Sequence, residues 1–315
     1  MNNSNKQTIP SLELEQYRSQ IQLDKVFKHK VLSRSIQEEK SSIINDLLYE
    51  LVNIEEMANK EDVPIYYQEQ RIFLRALLNI RKPKPLSIEF IKKNNYLLQT
   101  ELFESNTVTS KALPSVLEEN PNSYVENGEK LALWQGDITK LEVDAIVNAA
   151  NSEMLGCFQP LHACIDNAIH SAAGPQLRED CKIIVSIQEA SEKTGDAKVT
   201  RAYNLPSKYV LHTVGPIVPK GTSLTDKQRR QLISCYISCL ELASQVENIK
   251  SLAFCAISTG VFGFPKNEAA KIAVRTVDDW LSKNPDRFNK VIFNVFGKED
   301  YDEYISVIRK YQIST

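Results

Sequence analysis

The sequence predicts an α/β fold with a mixed, largely parallel central sheet, preceded by an all-helical segment. Three observations carry this. All ten glycines fall between Gly128 and Gly297. After Gly128, short β-branched runs alternate with helical stretches, the pattern of strands joined by crossover helices. Before it, apolar residues recur at intervals of three and four, the helical period. The boundary therefore falls at residue 128, with 1–127 as a helical N-terminal extension plus linker and 128–315 as the α/β domain.

Within the extension, Ile36–Ala58 and Tyr66–Arg81 both carry the amphipathic pattern. A Lys-Pro-Lys-Pro stop at 82–85 ends the second, because proline supplies no N–H and disfavours helix in the residue before it. Ser87–Phe103 reads as a third helix, and Ser105–Gly128, rich in Ser, Asn, Pro and Glu, as a linker or wrapping loop. Beyond it the expected strands are LALWQ (131–135), VDAIVN (143–148), AKVTRA (197–202), KYVLHTV (208–214), SLAFCAI (251–257) and KVIFNVF (290–296). Asp226–Gln245 and the stretch from Lys266 are the clearest helices between them.

At 315 residues and 42% hydrophobic, the chain can bury a sizeable core. A net charge of −2 gives no basis for tracking a phosphate backbone, so no nucleic-acid partner is expected. No apolar run reaches the roughly 18–20 residues that span a bilayer. The N-terminus lacks the apolar stretch of a secretion signal, and its early acidic residues argue against a transit peptide. A cytoplasmic location is expected. All six cysteines lie from Cys157 onward, and Cys235, Cys239 and Cys255 sit among apolar residues, so reduced thiols are the reading.

In parallel sheets ligands bind beyond the carboxyl ends of the strands, and four such ends stand out. The first pairs Gly136-Asp137-Ile138 with Asn148-Ala149-Ala150-Asn151, where small residues admit a ligand and carboxamides both donate and accept, although turn and cap roles fit equally. The second is Ser258-Thr259-Gly260-Val261-Phe262-Gly263, whose glycines let backbone N–H groups form an anion nest before a helix N-terminus. The third is His212–Ile217. The fourth ends in Phe296, which can stack on a flat ring or pack in the core.

One stretch, GCFQPLHACIDNAIH (Gly156–His170), combines two patterns. Cys157, His162 and Cys164 have metal-ligand character, and three protein ligands leave a fourth position open, as in catalytic zinc sites. The competing reading is three buried loop residues. Asp166 lies in the first turn of a helix, as a site carboxylate or an N-cap, and His170 one turn later reads as structural.

Taken together, GDIT, VDAIVNAAN, IDNAIHSAAG, TGDAKVTRAYNLPSKYVLHTVGP and STGVFGFP resemble a macrodomain, the ADP-ribose-binding module, from about Leu131 onward. The resemblance implies a three-layer α/β/α architecture. It implies that Asp137, with Ile138 beside it, accepts from the adenine amino group, and that Asn151 faces the distal ribose. The Ser258–Gly263 loop would wrap the diphosphate, and Phe296 would lie near the adenine. Where hydrolytic macrodomains carry a glycine-rich loop, this chain has CFQPLHAC, with Asp166 and His170 in their places. That departure is similar to a zinc-containing branch with a helical N-terminal extension, whose Cys, His and Cys hold the ion and whose members remove ADP-ribose from modified proteins. The implied activity is Zn2+-dependent hydrolysis of mono-ADP-ribosylated proteins, with Asp166 and Asn151 as catalytic residues and ADP-ribose as product. In that branch the module is sometimes linked to an ADP-ribosyl-transferring sirtuin. An ADP-ribose reader without activity, or an O-acetyl-ADP-ribose deacetylase, are the alternatives.

Overall fold

A computed structural model of the chain describes residues 11–29 and 37–311. Ile36, the expected start of the first long helix, and the polar N-terminal decapeptide lie outside the described residues. Helix α1 (Leu14–Tyr17) is a single turn, followed by α2 (Gln37–Tyr49), α3 (Tyr67–Ile80) and α4 (Ile88–Glu104). The periodicity predicted one helix to Ala58. Instead α2 passes into a π-helical turn at Glu50–Ile54, in which Leu51 and Val52 are buried. Ser87 starts α4 by accepting the Phe90 N–H at 3.0 Å. Strand β1 (Val108–Thr109) and helix α5 (Val116–Glu119) follow.

The α/β part then runs β2 (Leu131–Gln135), β3 (Leu141–Glu142), β4 (Ala145–Ala150), α6 (Ile165–Ala173), α7 (Pro175–Gln188), β5 (Ala197–Arg201) and β6 (Tyr209–Val214). It ends with α8 (Asp226–Ser244), β7 (Ser251–Phe254), α9 (Lys266–Lys283), β8 (Lys290–Val295) and α10 (Lys298–Arg309). Six strands form one sheet in the order β2-β8-β7-β4-β6-β5. All neighbours are parallel except β5, which runs antiparallel to β6. Helices α8, α9 and α10 pack on one another as one layer, and α6 packs on α7 and β4 as the other. The three-layer, largely parallel fold expected from the sequence is therefore present, as is the helical N-terminal region.

Two hydrophobic clusters divide the chain. The helical lobe has its own core, which includes Ile44, Leu47, Leu51, Leu74, Leu77, Phe90 and Leu97. The larger cluster fills the α/β layers and also takes in Leu14, Tyr17, Ile21, Leu113, Val116 and Val125. Segments before and after the lobe thus belong to the α/β core, and the stretch read as a linker packs against it. Tyr17 shows why. Its hydroxyl accepts the Val199 N–H at 3.0 Å, so the first segment covers a strand at the sheet edge that would otherwise expose unpaired backbone. Among the described residues no helix is long and apolar enough to cross a membrane.

Candidate active site

Strands β8, β7 and β4 lie side by side, and their carboxyl ends open into one cavity of about 430 Å³. From β4 come Ala149, Ala150 and Asn151; from the loop after β7 come Ser258, Thr259, Gly260, Val261 and Phe262; after β8 come Phe296 and Gly297. Cys157, His162, Cys164 and Asp166 close the remaining wall. Gly263, at the far end of the β7 loop, has φ +69°, and a Cβ there would sit 2.8 Å from the Val218 carbonyl. Glycine is required at that position by both conformation and space. Gly260 differs, since its φ is not positive and an added Cβ meets nothing within 4 Å. Ser258 holds φ +65°, and its buried Oγ has no hydrogen-bond partner in the protein. Gly215 at the end of β6 makes room for it, because a Cβ there would fall 2.0 Å from that Oγ.

Phe296 is 82% exposed and Val261 72% exposed at the cavity. An aromatic ring this exposed is not core packing. Asp137 is placed differently. Its Oδ1 accepts from the Thr139 N–H at 3.0 Å and from the Thr139 hydroxyl at 2.7 Å, and it lines a neighbouring depression with Arg71 and Arg75. Ile138 is buried in the core. Neither lines the cavity at the ends of β8, β7 and β4. Asn151 does, although its side chain also shapes the loop, donating to Gly156 O at 3.1 Å and accepting the Glu153 N–H at 3.0 Å. Asn294 and Asp300 also line the cavity and were not singled out from sequence. For Asn294 the signal was present, as it is the one carboxamide in the apolar run KVIFNVF.

Cys157, His162 and Cys164 come together with all three donor atoms within 4.8 Å of one another. Cys157 Sγ and His162 Nδ1 are 3.5 Å apart. A tetrahedral zinc with ordinary Zn–S and Zn–N lengths demands an S···N edge of about 3.6 Å. The donor set and its spacing therefore fit a zinc ion, which these three residues would hold at the wall of the cavity. Burial pushes the Cys164 thiol up to about 11, opposed by the Asn167 N–H and reinforced by Cys157. A thiol held protonated in this way becomes a ligand by giving its proton up to the metal.

Cys164 also caps α6, its Sγ accepting the Asn167 N–H at 3.4 Å. Asp166 is thus the second residue of the helix and not its cap. The carboxylate is 5% exposed, and Asn148 Nδ2 donates to its Oδ1 at 2.8 Å. Burial raises its pKa to about 6, against the Asn148 hydrogen bond and the Arg178 charge. His170 Nε2 lies 3.5 Å from the same oxygen, but burial holds that imidazole neutral and the contact is not an ion pair.

A second group of donors, His170, Cys181 and His212, lies beneath the first, wholly buried. The hydrogen bonds around His212 define its tautomer. A carboxylate only accepts, so the Asn148 amide must turn its NH2 toward Asp166, and the other amide hydrogen reaches His212 Nδ1 at 3.2 Å. Nδ1 is then a lone pair, and Nε2–H donates to Thr200 Oγ1 at 2.9 Å. With both ring nitrogens committed, His212 is a strut and not a metal ligand. The chain Thr200–His212–Asn148–Asp166 fixes the site carboxylate from the strands below.

Comparison with known proteins identifies the family. The Macro domain pattern matches residues 147–273. A protein-ADP-ribose hydrolase of Treponema medium is 49% identical over 239 residues, covering 76% of this chain and 87% of that protein. A protein-ADP-ribose hydrolase of Staphylococcus aureus (strain MRSA252) is 42% identical over 265 residues, covering 83% of this chain and 92% of the other. The crystal structure of the Trypanosoma brucei macrodomain in complex with ADP-ribose aligns with a TM-score of 0.56 at 29% identity, over 74% of this chain and 94% of that one. The pattern match, the sequence relatives and the structural likeness agree, and the chain belongs to the Macro domain family.

Proposed function

We propose that this chain hydrolyses the bond between C1″ of ADP-ribose and a protein side chain, releasing free ADP-ribose, with a zinc ion held by Cys157, His162 and Cys164. The observation that carries the reading is the meeting of three zinc-type donors, a buried carboxylate and a glycine-containing strand-end loop around one cavity. The names of the Treponema medium and Staphylococcus aureus relatives support it. A reader of ADP-ribose has little use for a metal position that opens into its pocket.

In this reading the loop from Ser258 to Gly263 offers backbone N–H groups to the diphosphate, at the start of α9. Phe296 stacks on the adenine from the cavity mouth. Binding energy gathered there, away from the reacting carbon, holds the ribose in a reactive pose. The bond to the side chain breaks with oxocarbenium character at C1″, and water adds to that carbon. Asp166 orients this water through the carboxylate oxygen that Asn148 leaves free, and a proton passes to the departing side chain. A zinc ion bound by the three donors supplies Lewis acidity toward a ribose hydroxyl or a water. Asn151 steadies the loop beside the distal ribose.

The test is zinc content together with turnover of a mono-ADP-ribosylated protein, for wild type, chelated wild type and Cys157→Ser. We expect about one zinc per wild-type chain, and loss of both metal and turnover in the other two. Full-rate cleavage by metal-free protein would remove zinc from the reaction, and binding of ADP-ribose without release of any product would leave only a reader.

A further inference from the structure

The loop between the first two metal-type donors is held from outside the α/β domain. Of its residues Phe158 to Leu161, Leu161 bonds directly to the helical lobe, while Gln159 and Phe158 reach it through Asn167 of α6 and Arg178 of α7. Asn79, in the last turn of α3, accepts the Leu161 N–H on its Oδ1 at 3.0 Å. Leu161 stands at φ +54°, a left-handed conformation that costs a leucine about 1–2 kcal/mol and needs an external hold. Arg75, one turn earlier on α3, donates to Asn167 Oδ1 at 2.9 Å. Asn167 in turn donates its side-chain amide to Gln159 O at 3.1 Å and its backbone N–H to Cys164 Sγ. Ser171 Oγ ties these together, accepting from Asn79 at 3.0 Å and Arg75 at 3.2 Å and donating to Asn167. The Phe158 ring lies under the Arg178 guanidinium at 4.7 Å. Arg178 is itself fixed by the carbonyls of Leu78 and Arg81 at the end of the same helix, at 2.8 and 2.6 Å.

We infer that the helical lobe is a positioning element for the metal loop, with Asn79 as its central positioning residue. The inference rests on the zinc reading above and deepens it. A loop that must bring Cys157 and His162 to within bonding reach of one ion loses conformational entropy in doing so. Where a glycine-free loop is pinned beforehand by α3, that ordering is complete before the metal arrives. Asn79 touches no metal donor, and its 3% exposure keeps water from competing for the Leu161 N–H. It acts as an outer-shell partner, a class whose loss typically weakens metal affinity or activity by about 10- to 100-fold.

The experiment measures transfer of zinc from purified full-length protein to a chromophoric chelator, for wild type, Asn79→Ala and Asn79→Asp, well below their melting temperatures. Asn79→Ala should release zinc about 10- to 100-fold faster, with kcat falling more than KM rises. Asn79→Asp keeps the acceptor for Leu161 but loses the donor to Ser171, and should recover part of the wild-type retention, which a merely destabilised lobe would not do. Wild-type release by Asn79→Ala, or equal acceleration in both variants, overturns the positioning role while leaving the zinc reading intact. Wild-type protein that neither contains nor takes up zinc overturns both.

Discussion

Replacing Asn148 by alanine tests the buried strut under the candidate site. Asn148 is wholly buried, and its amide supplies hydrogen bonds to Asp166 Oδ1 at 2.8 Å and His212 Nδ1 at 3.2 Å. Alanine leaves both buried acceptors without that donor. A stranded buried acceptor costs about 1–3 kcal/mol, with a carboxylate at the upper end, so the pair predicts a loss of about 4–6 kcal/mol before any offset. The Asn148 Oδ1, itself without a partner, returns part of that on removal. Denaturant unfolding of both proteins at equal zinc concentration measures the difference. The activity effect has a shape as well as a size. Because the loop after β7 is untouched, kcat should fall more than KM rises. Thr200→Val removes only the far end of the chain and should cost about 1 kcal/mol with kcat kept. A loss under about 0.5 kcal/mol in Asn148→Ala, the range of neutral surface changes, would refute the strut.

Two further outcomes follow from the same geometry. Gly263→Ala forces alanine to φ +69° against the Val218 carbonyl, for a stability loss of at least about 1–2 kcal/mol. It should weaken ADP-ribose binding by calorimetry, and unchanged affinity would detach this loop from the ligand. For pH, burial lowers the His212 pKa to about 3, against about 6.5 in an unfolded chain. The unfolded state therefore binds the proton that the folded state refuses, and stability is full above about pH 6.5 and falls from there toward pH 3, by up to about 1.4 kcal/mol per unit. His170 shifts the same way. Denaturation midpoints at pH 7.5 and 5.5 should differ accordingly, and His212→Gln should flatten the slope; an equally steep slope in that variant would assign the effect elsewhere.

The sheet was legible because β-branched runs between helical periods leave few alternatives, and all six expected strands overlap those of the large sheet. Boundaries moved where pairing decides them, so VDAIVN became Ala145–Ala150, in register with Tyr209–Val214. What the sequence hid were contacts of long range. Tyr17 meets Val199 across 182 residues, and no local pattern announces that. Leu113, Val116 and Val125 lay among Ser, Asn, Pro and Glu, and composition outweighed three apolar residues that tertiary packing buries. At the start of α7, Gly174 takes φ +94° and Pro175 the first helical position. In the site, the strand-end loops and the Cys-His-Cys stretch were readable because they are short and local. The Thr200–His212–Asn148 strut was not, since polar residues inside strands reveal their partners only when the strands are laid side by side.

The two supports of the site come from opposite directions and meet on one helical turn. The strut from β5, β6 and β4 ends on Asp166, while the grip from α3 ends on Asn167 and the loop before Cys164. Cys164 caps α6 and Asp166 stands two residues inside it, so the thiol and the carboxylate share a rigid segment about one turn long. A tilt of α6 moves both together relative to the loop after β7, which belongs to a different strand. Stability of the α3–α6 contact and geometry of the chemistry are therefore one quantity here. This gives a physical reason for a glycine-poor loop with the proposed metal donors to occur together with a helical extension: without the flexibility of glycine to adapt, the loop needs a second body to hold its shape.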